Sequence, residues 1–483
     1  MTSILNNISD KNDNVLLYYK GNWQPSETIE TVKFPFNGEE YCSYYVGNPS
    51  IVNKAIEHAN ETILKMKALP LWQRASILNK AADYFEEIMD ETAQVLVYET
   101  GKTLKDAKGE IQRTISTLRF SADAAKNLHS ETIPLDAMKG GDNKVSFSIH
   151  EPVGVVGAIT GFNFPLLLAA HKLGPAFAGG NTVILKPSPG TPLTSMMMAY
   201  AFEQAGLPSG ALHVINGDVE VGEAIVRHNS VAAVSFTGSS NVGKKISEQA
   251  KYKKVLLELG SNAATIIDKS ADIDIVVDKC IAGGFSTVGQ SCISVQRIIA
   301  HEKIYQELQE KLKERVSELK TGDPFDEATD VPTVFTQSSK ERIGQWIEEA
   351  KQQGAEVLAG GQVKSRILEP TLLANVSPNM KVFYEEIFGP VITVIPFSDF
   401  NEAISIVNNS AYGLQAGVFT NDLKNAWQAI YEIEAGSVHI NEVSSFRADH
   451  MPYGGVKDSG IGKEGPTSVI NELTNKKVVS FQL

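Results

Sequence analysis

Cysteine is scarce: Cys42, Cys280 and Cys292 are the only three in 483 residues. Three cannot staple so long a chain, and none stands in a CxxC pair suited to zinc, so neither a disulfide framework nor a structural metal is expected. Positive charge is also short, with 44 Lys and Arg against 57 Asp and Glu and a net charge of −13. That balance offers no broad field to hold nucleic acid or an anionic membrane surface, and an anionic substrate must be met by a few local cations. Long apolar runs are missing too. The longest, FPLLLAAHKLGPAFAGG, is broken by His171, Lys172 and Pro175, and the opening MTSILNNISDKNDN lacks a charged-then-apolar leader pattern. A cytoplasmic protein without nucleic-acid or membrane partners is expected. Internal repeats and low-complexity segments are absent.

What is present is a large supply of core. With 42% hydrophobic and 21% charged residues, the chain exceeds what one core serves, and two or three domains are expected. From about Pro49 to Ala125 apolar residues recur at helical spacing. SFSIHEPVGVVGAIT then reads as an exposed strand leading into a buried one, followed by a helix at HKLGPAFAGG. NTVILKP, GALHVING and VAAVSFTG are short β-rich runs separated by helical segments, the pattern of a doubly wound parallel sheet. Around LLELGSNAATIID the alternation restarts as a second α/β unit. The tail KKVVSFQL is a strand with no neighbour in sequence, so it must pair with a distant strand or another subunit.

Three residues stand where chemistry is possible. Cys292 follows Gly289, Gln290 and Ser291, a flexible turn that can present sulfur to a cleft, whereas Cys280 in IVVDKCIAGG reads as an inert core thiol. Glu258 in LLELGSNAA ends an apolar strand, where lost solvation would raise its pKa and suit it to accept a proton; a salt-bridged edge carboxylate is the alternative. Asn163 in TGFNFPL precedes Pro165, so its amide can serve a developing oxyanion or simply cap a helix. Gly238 to Lys244 spells G-x-x-x-x-G-K, one residue short of a P-loop, but Lys245 occupies the position where Ser or Thr must hold magnesium. As a strand, glycine turn and helix start, the same residues can receive a dinucleotide phosphate, although no GxGxxG is present.

FNFPL, ILKPS, SFTGS, LELGS, GQSC, EEIFGPV, YGLQAGVFT and MPYGGVKDSGIGKEG occur in one order along the chain. With them, the sequence closely resembles the aldehyde dehydrogenase superfamily over nearly its whole length. The resemblance implies an α/β fold with a Rossmann-like cofactor domain (1–127 and 150–258), a catalytic domain (259–448) and a small β oligomerisation arm (128–149 and 467–483), assembled as a dimer or tetramer. It implies a Cys292 nucleophile, an oxyanion hole of the Asn163 amide and the Cys292 N–H supported by Lys172, and Glu258 as the base that hydrolyses a thioester. It also implies NAD or NADP held by Thr160, Phe162, Lys186, Ser188, Gly217, Phe236, Gly238, Ser239, Leu259, Glu386 and Phe388. Lys186 and Ser188 fall to the adenosine ribose, Ser239 to the pyrophosphate, and Glu386 with Phe388 to the nicotinamide ribose.

Two departures from the family pattern matter. Pro189 stands three positions after Lys186, where many NAD-preferring members carry Glu, so nothing there repels a 2′-phosphate and the choice of dinucleotide stays open. Ser261 replaces a usual second glycine, and LELGSNAA resembles the subgroup acting on lactaldehyde, phosphonoacetaldehyde, sulfolactaldehyde or glyceraldehyde 3-phosphate. A small anionic or hydroxylated aldehyde is therefore expected, with Arg113 and Arg447 as candidate substrate residues. Against that, Arg113 could pair with Glu110 and Arg447 with Asp449. The rival functions are a coenzyme A-acylating relative, a P-loop nucleotide hydrolase and a non-catalytic cofactor-binding protein.

Overall fold

A computed structural model describes residues 2–364 and 366–483. The helical stretch expected near the N-terminus resolves into Pro49–Ala68, Leu71–Glu87, Met89–Thr100 and Leu104–Lys126. Behind it lies an eight-stranded sheet whose inner strands, Leu212–Val214, Thr182–Lys186, Val155–Ile159, Val231–Thr237 and Lys254–Glu258, are parallel. These runs are continuously apolar because helices cover both faces. Strand order grows one way from Val155–Ile159 and then reverses to Val231–Thr237. At such a switch point the carboxyl ends of neighbouring strands part into a crevice.

Helix Pro165–Ala178 is buried along its whole length, which explains why its sequence, His171 and Lys172 apart, is apolar on every face. It opens at Pro165, with proline in the first turn where no N–H is needed. A second sheet of seven strands begins at Ala264–Ile267, flanked in parallel by Arg297–His301 and Gln415–Phe419, over its own apolar core. Only residues 259–263 separate it from the end of Lys254–Glu258, so the N-terminal edge of the second sheet faces the C-terminal edge of the first.

The tail strand Thr474–Gln482 finds its distant partner in Lys144–Pro152, antiparallel from Thr474↔Pro152 to Gln482↔Lys144. The expected arm boundaries need correction. Ladder hydrogen bonds carry the arm strand past 149 to Pro152, and residues 467–472 are helix, with Val469 and Ile470 sunk in the first core. Strand Gly460–Ile461 also returns to pair with Lys254–Glu258, so the first sheet draws on chain far beyond residue 258. Among the described residues, no helix is long and apolar enough to cross a membrane.

Candidate active site

A cavity of about 760 Å³ lies between the two facing sheet edges, with Asn163, Ser239, Glu258, Cys292, Glu386 and Arg447 among its lining residues. Cys292 reaches it from an unusual turn. Thr287, Val288 and Gly289 lie in succession in the left-handed region, at φ 50°, 59° and 66°. Two β-branched residues are costly there. The turn is tethered by Asp106, which accepts from the Thr287 N–H at 3.2 Å and the Ser286 hydroxyl at 3.3 Å. Cys292 is half-buried, and its Sγ lies 2.9 Å from Tyr453 Oη. Burial pushes the Cys292 thiol up to about 12, against the pull of the Tyr453 hydrogen bond and the Arg447 charge. Cys280 is fully buried in the second core and does not line the cavity.

Glu258 ends its strand with both carboxylate oxygens buried and, among the described residues, without a hydrogen-bond partner. That excludes the salt-bridged edge reading. Burial, then the Glu464 carboxylate, raises its pKa well above the usual range, against Arg447 and Lys172. Glu464 goes the other way. Although burial opposes ionisation, Lys172, His171 and Arg447 surround it and hold it ionised. Lys172 donates to Thr237 Oγ1 at 2.7 Å and Glu464 Oε1 at 3.2 Å. Its expected place at the oxyanion hole is therefore corrected, since the side chain points from its helix toward the charges behind Glu258.

The lysine beside Asn163 is Lys102, whose Nζ donates to the Asn163 carbonyl at 2.7 Å. Lys102 is also paired with Glu110 in full burial, and Glu110 accepts from the N–H groups of Leu166 and Leu167. Glu110 thus caps helix Pro165–Ala178, which removes the capping role considered for Asn163. The Asn163 amide instead donates to the Gln290 carbonyl at 3.0 Å, two residues before Cys292.

With Glu110 engaged, Arg113 takes Asp449 in a two-pronged pair at 3.1 and 2.8 Å and keeps its side chain 34% exposed at the cavity. Arg447 is nearly buried. It donates to Glu464 at 3.0 Å, lies 3.0 Å from His171 Nε2, stacks 3.7 Å over the Tyr453 ring, and reaches Asp449 only at 3.8 Å. Neither alternative pairing considered for the two arginines is the principal one.

The residues assigned to a dinucleotide follow the carboxyl edge of the first sheet, where free polar groups suit such a ligand. The Thr160 hydroxyl is buried without a partner among the described residues. Among the described residues Lys186 Nζ bonds only the Pro187 carbonyl, at 3.1 Å, and burial lowers its pKa to about 8 despite Asp218. Ser239 starts helix Ser240–Gln249 without a side-chain cap, leaving first-turn N–H groups for phosphate. Gly243 lets that helix approach Leu259, and Gly217, at φ 153°, has no room for a side chain beside Val221. Phe236 packs on Gly238, and the Thr191 N–H bonds the Ser188 carbonyl. Glu386 accepts from the Ser261 N–H at 2.8 Å, and burial raises its carboxyl to about 7. Phe388 meets the edge of Phe162, which stacks on Phe335 at 4.1 Å. Lys244 of the P-loop-like run is paired with Asp458 at 2.6 Å.

The aldehyde dehydrogenase family model matches residues 23–479. The 3-sulfolactaldehyde dehydrogenase of Priestia aryabhattai is 42% identical over 97% of this chain and 98% of its own. The lactaldehyde dehydrogenase of Methanococcus aeolicus is 38% identical over 96% and 99%. Among solved structures, the NADP-dependent glyceraldehyde-3-phosphate dehydrogenase of Bacillus halodurans, complexed with NADP, superposes with a TM-score of 0.95 at 35% identity, covering 97% and 99%.

Proposed function

The chain belongs to the aldehyde dehydrogenase family, and from that premise we propose which residues carry the reaction and what it acts on. The enzyme oxidises an aldehyde with NAD or NADP. In our reading the Cys292 thiolate attacks the aldehyde carbon, forming a C–S bond while the carbonyl electron pair moves to oxygen. The Asn163 amide turns from the Gln290 carbonyl to that oxyanion and shares it with the Cys292 N–H. A dinucleotide bound along the sheet edge supplies the hydride acceptor. Loss of hydride from the tetrahedral carbon leaves a thioester on Cys292. Glu258 then takes a proton from water as it attacks, and the Cys292 thiolate departs from the acid.

The observation that carries this reading is Glu258, buried and unpartnered in the same cavity as Cys292. A base waiting there favours hydrolysis over transfer to coenzyme A. For substrate we propose a small anionic or hydroxylated aldehyde, met by Arg113 at the cavity mouth and, deeper, by Arg447. The names of the relatives, sulfonated, hydroxylated and phosphorylated, support that class. We further propose a dimer or tetramer joined through the arm, whose Val145, Val478 and Phe481 are exposed beside an unpaired strand edge. Three unpaired cysteines support a cytoplasmic setting.

The test is dinucleotide reduction followed at 340 nm with NAD and with NADP, on lactaldehyde, sulfolactaldehyde, phosphonoacetaldehyde, succinate semialdehyde and glyceraldehyde 3-phosphate. Turnover without coenzyme A that vanishes in Cys292→Ala supports the mechanism. A requirement for coenzyme A replaces it with acylation, and a preference for neutral aldehydes removes the anion pocket.

A further inference from the structure

We propose that Tyr453 is a catalytic residue whose phenol donates a hydrogen bond to the Cys292 sulfur, holding the thiolate in a half-buried site and aimed into the cavity. The proposal rests on the reading of Cys292 as the nucleophile. Removing a thiolate from water is unfavourable, and the Glu386 and Glu258 carboxylates oppose it by charge. Among the described residues, Tyr453 makes the only side-chain hydrogen bond to the sulfur, at 2.9 Å. The Asn163 amide is turned to Gln290.

The phenol is built into position rather than resting there. Tyr453 exchanges backbone hydrogen bonds with Glu464 at 3.1 and 2.5 Å, while its ring is buried with Ile293 and Leu414 around Cys292. A dry surrounding strengthens the remaining hydrogen bond. On the ring face, the Arg447 guanidinium lies 3.7 Å from the centroid and is itself fixed by Glu464. A cation there draws electron density from the ring and makes the O–H a better donor. Burial also keeps the phenol protonated.

No atom of Tyr453 is transferred. The thiol proton leaves to solvent through the cavity, the phenol stays protonated, and the sulfur gives up this hydrogen bond when it becomes neutral in the adduct. The bond is regained when water expels the thiolate, so the same phenol assists the leaving group.

Tyr453→Phe removes one oxygen and keeps the buried ring. The measurement is the rate of Cys292 alkylation by iodoacetamide against pH, with the modified peptide identified by mass, beside steady-state kinetics and Tm. We expect alkylation at pH 7 to fall about tenfold, its midpoint to move to higher pH, and kcat/KM to fall with it, at nearly unchanged Tm. A hydroxyl that only fills space would change Tm and leave the pH midpoint in place. An alkylation profile that coincides with the wild type overturns the role of Tyr453. Full turnover by Cys292→Ala overturns the nucleophile reading instead, so the two failures are distinguishable.

Discussion

Lys102, in the turn between helices Met89–Thr100 and Leu104–Lys126, holds the backbone carbonyl of Asn163 at 2.7 Å, with Glu110 as its buried partner. The oxyanion residue is therefore fixed by an ion pair that also caps the following helix through Leu166 and Leu167. Removing one member leaves the other charged and dry, at a cost of about 3–5 kcal/mol. Lys102→Met is expected to lower stability by that order in urea unfolding, and kcat by roughly a hundredfold through the displaced amide. Lys102→Met with Glu110→Gln should unfold at higher urea than Lys102→Met alone. If the double variant is the less stable of the two, the ion-pair account is wrong.

Glu258 sets an opposition between function and stability. Its folded pKa lies well above the ordinary 4.5, first from burial and then from Glu464. A carboxyl that holds its proton more tightly when folded favours folding at low pH, and that contribution is lost as pH rises toward the folded pKa. Glu258→Gln should therefore raise Tm more at pH 8 than at pH 5. It should also stall the thioester, giving one fast turnover and then a rate lower by about a hundredfold or more. Glu464→Gln removes a neighbouring negative charge, so the acidic limb of the wild-type rate profile should move to lower pH. An unmoved limb would separate that limb from Glu258.

Much of this was legible in the sequence because it is written locally. Strand runs such as NTVILKP and VAAVSFTG carry burial in their own composition, and GQSC, LELGS and FNFPL are contiguous motifs around one residue each. Contacts made across the chain left no such trace. Glu110 and Arg113 sit one helical turn apart and look like a pair, yet each has a partner supplied by packing, Lys102 for one and Asp449 for the other. Tyr453 sat inside a recognised glycine motif, but its distance to Cys292 depends on the fold of the 160 intervening positions. The same holds for Lys172: the motif fixes its helix, while the face it uses is decided by where Glu464 arrives.

Arg113 is the arginine with capacity to spare. Its side chain is 34% exposed where that of Arg447 is 7%, and Arg447 is already committed to Glu464 and the Tyr453 ring. A charged hydrogen bond is worth about 1.5–3 kcal/mol, or roughly 10- to 100-fold in binding. Arg113→Ala should raise KM by that factor for sulfolactaldehyde and glyceraldehyde 3-phosphate, with a much smaller change for lactaldehyde. Equal changes for charged and neutral aldehydes would assign Arg113 to holding Asp449 alone.

Gly289 bears the strain of the turn that presents Cys292. It lies at φ 66°, and a Cβ there would meet the carbonyl oxygen of Gly389 in hard overlap. Backbone cannot move aside as a flexible side chain can, and the neighbouring Thr287 and Val288 already occupy the same unfavourable region. Gly206 provides the comparison, since it has φ 83° with no atom within 4 Å of a built Cβ. Gly206→Ala should cost only the left-handed penalty, about 1–2 kcal/mol, and leave kcat intact. Gly289→Ala should cost several kcal/mol more and lower kcat sharply, because relief of the overlap must move the loop that aims the sulfur. Equal losses in urea unfolding for the two would mean that the turn yields freely, and the tether from Asp106 would then have no part in placing Cys292.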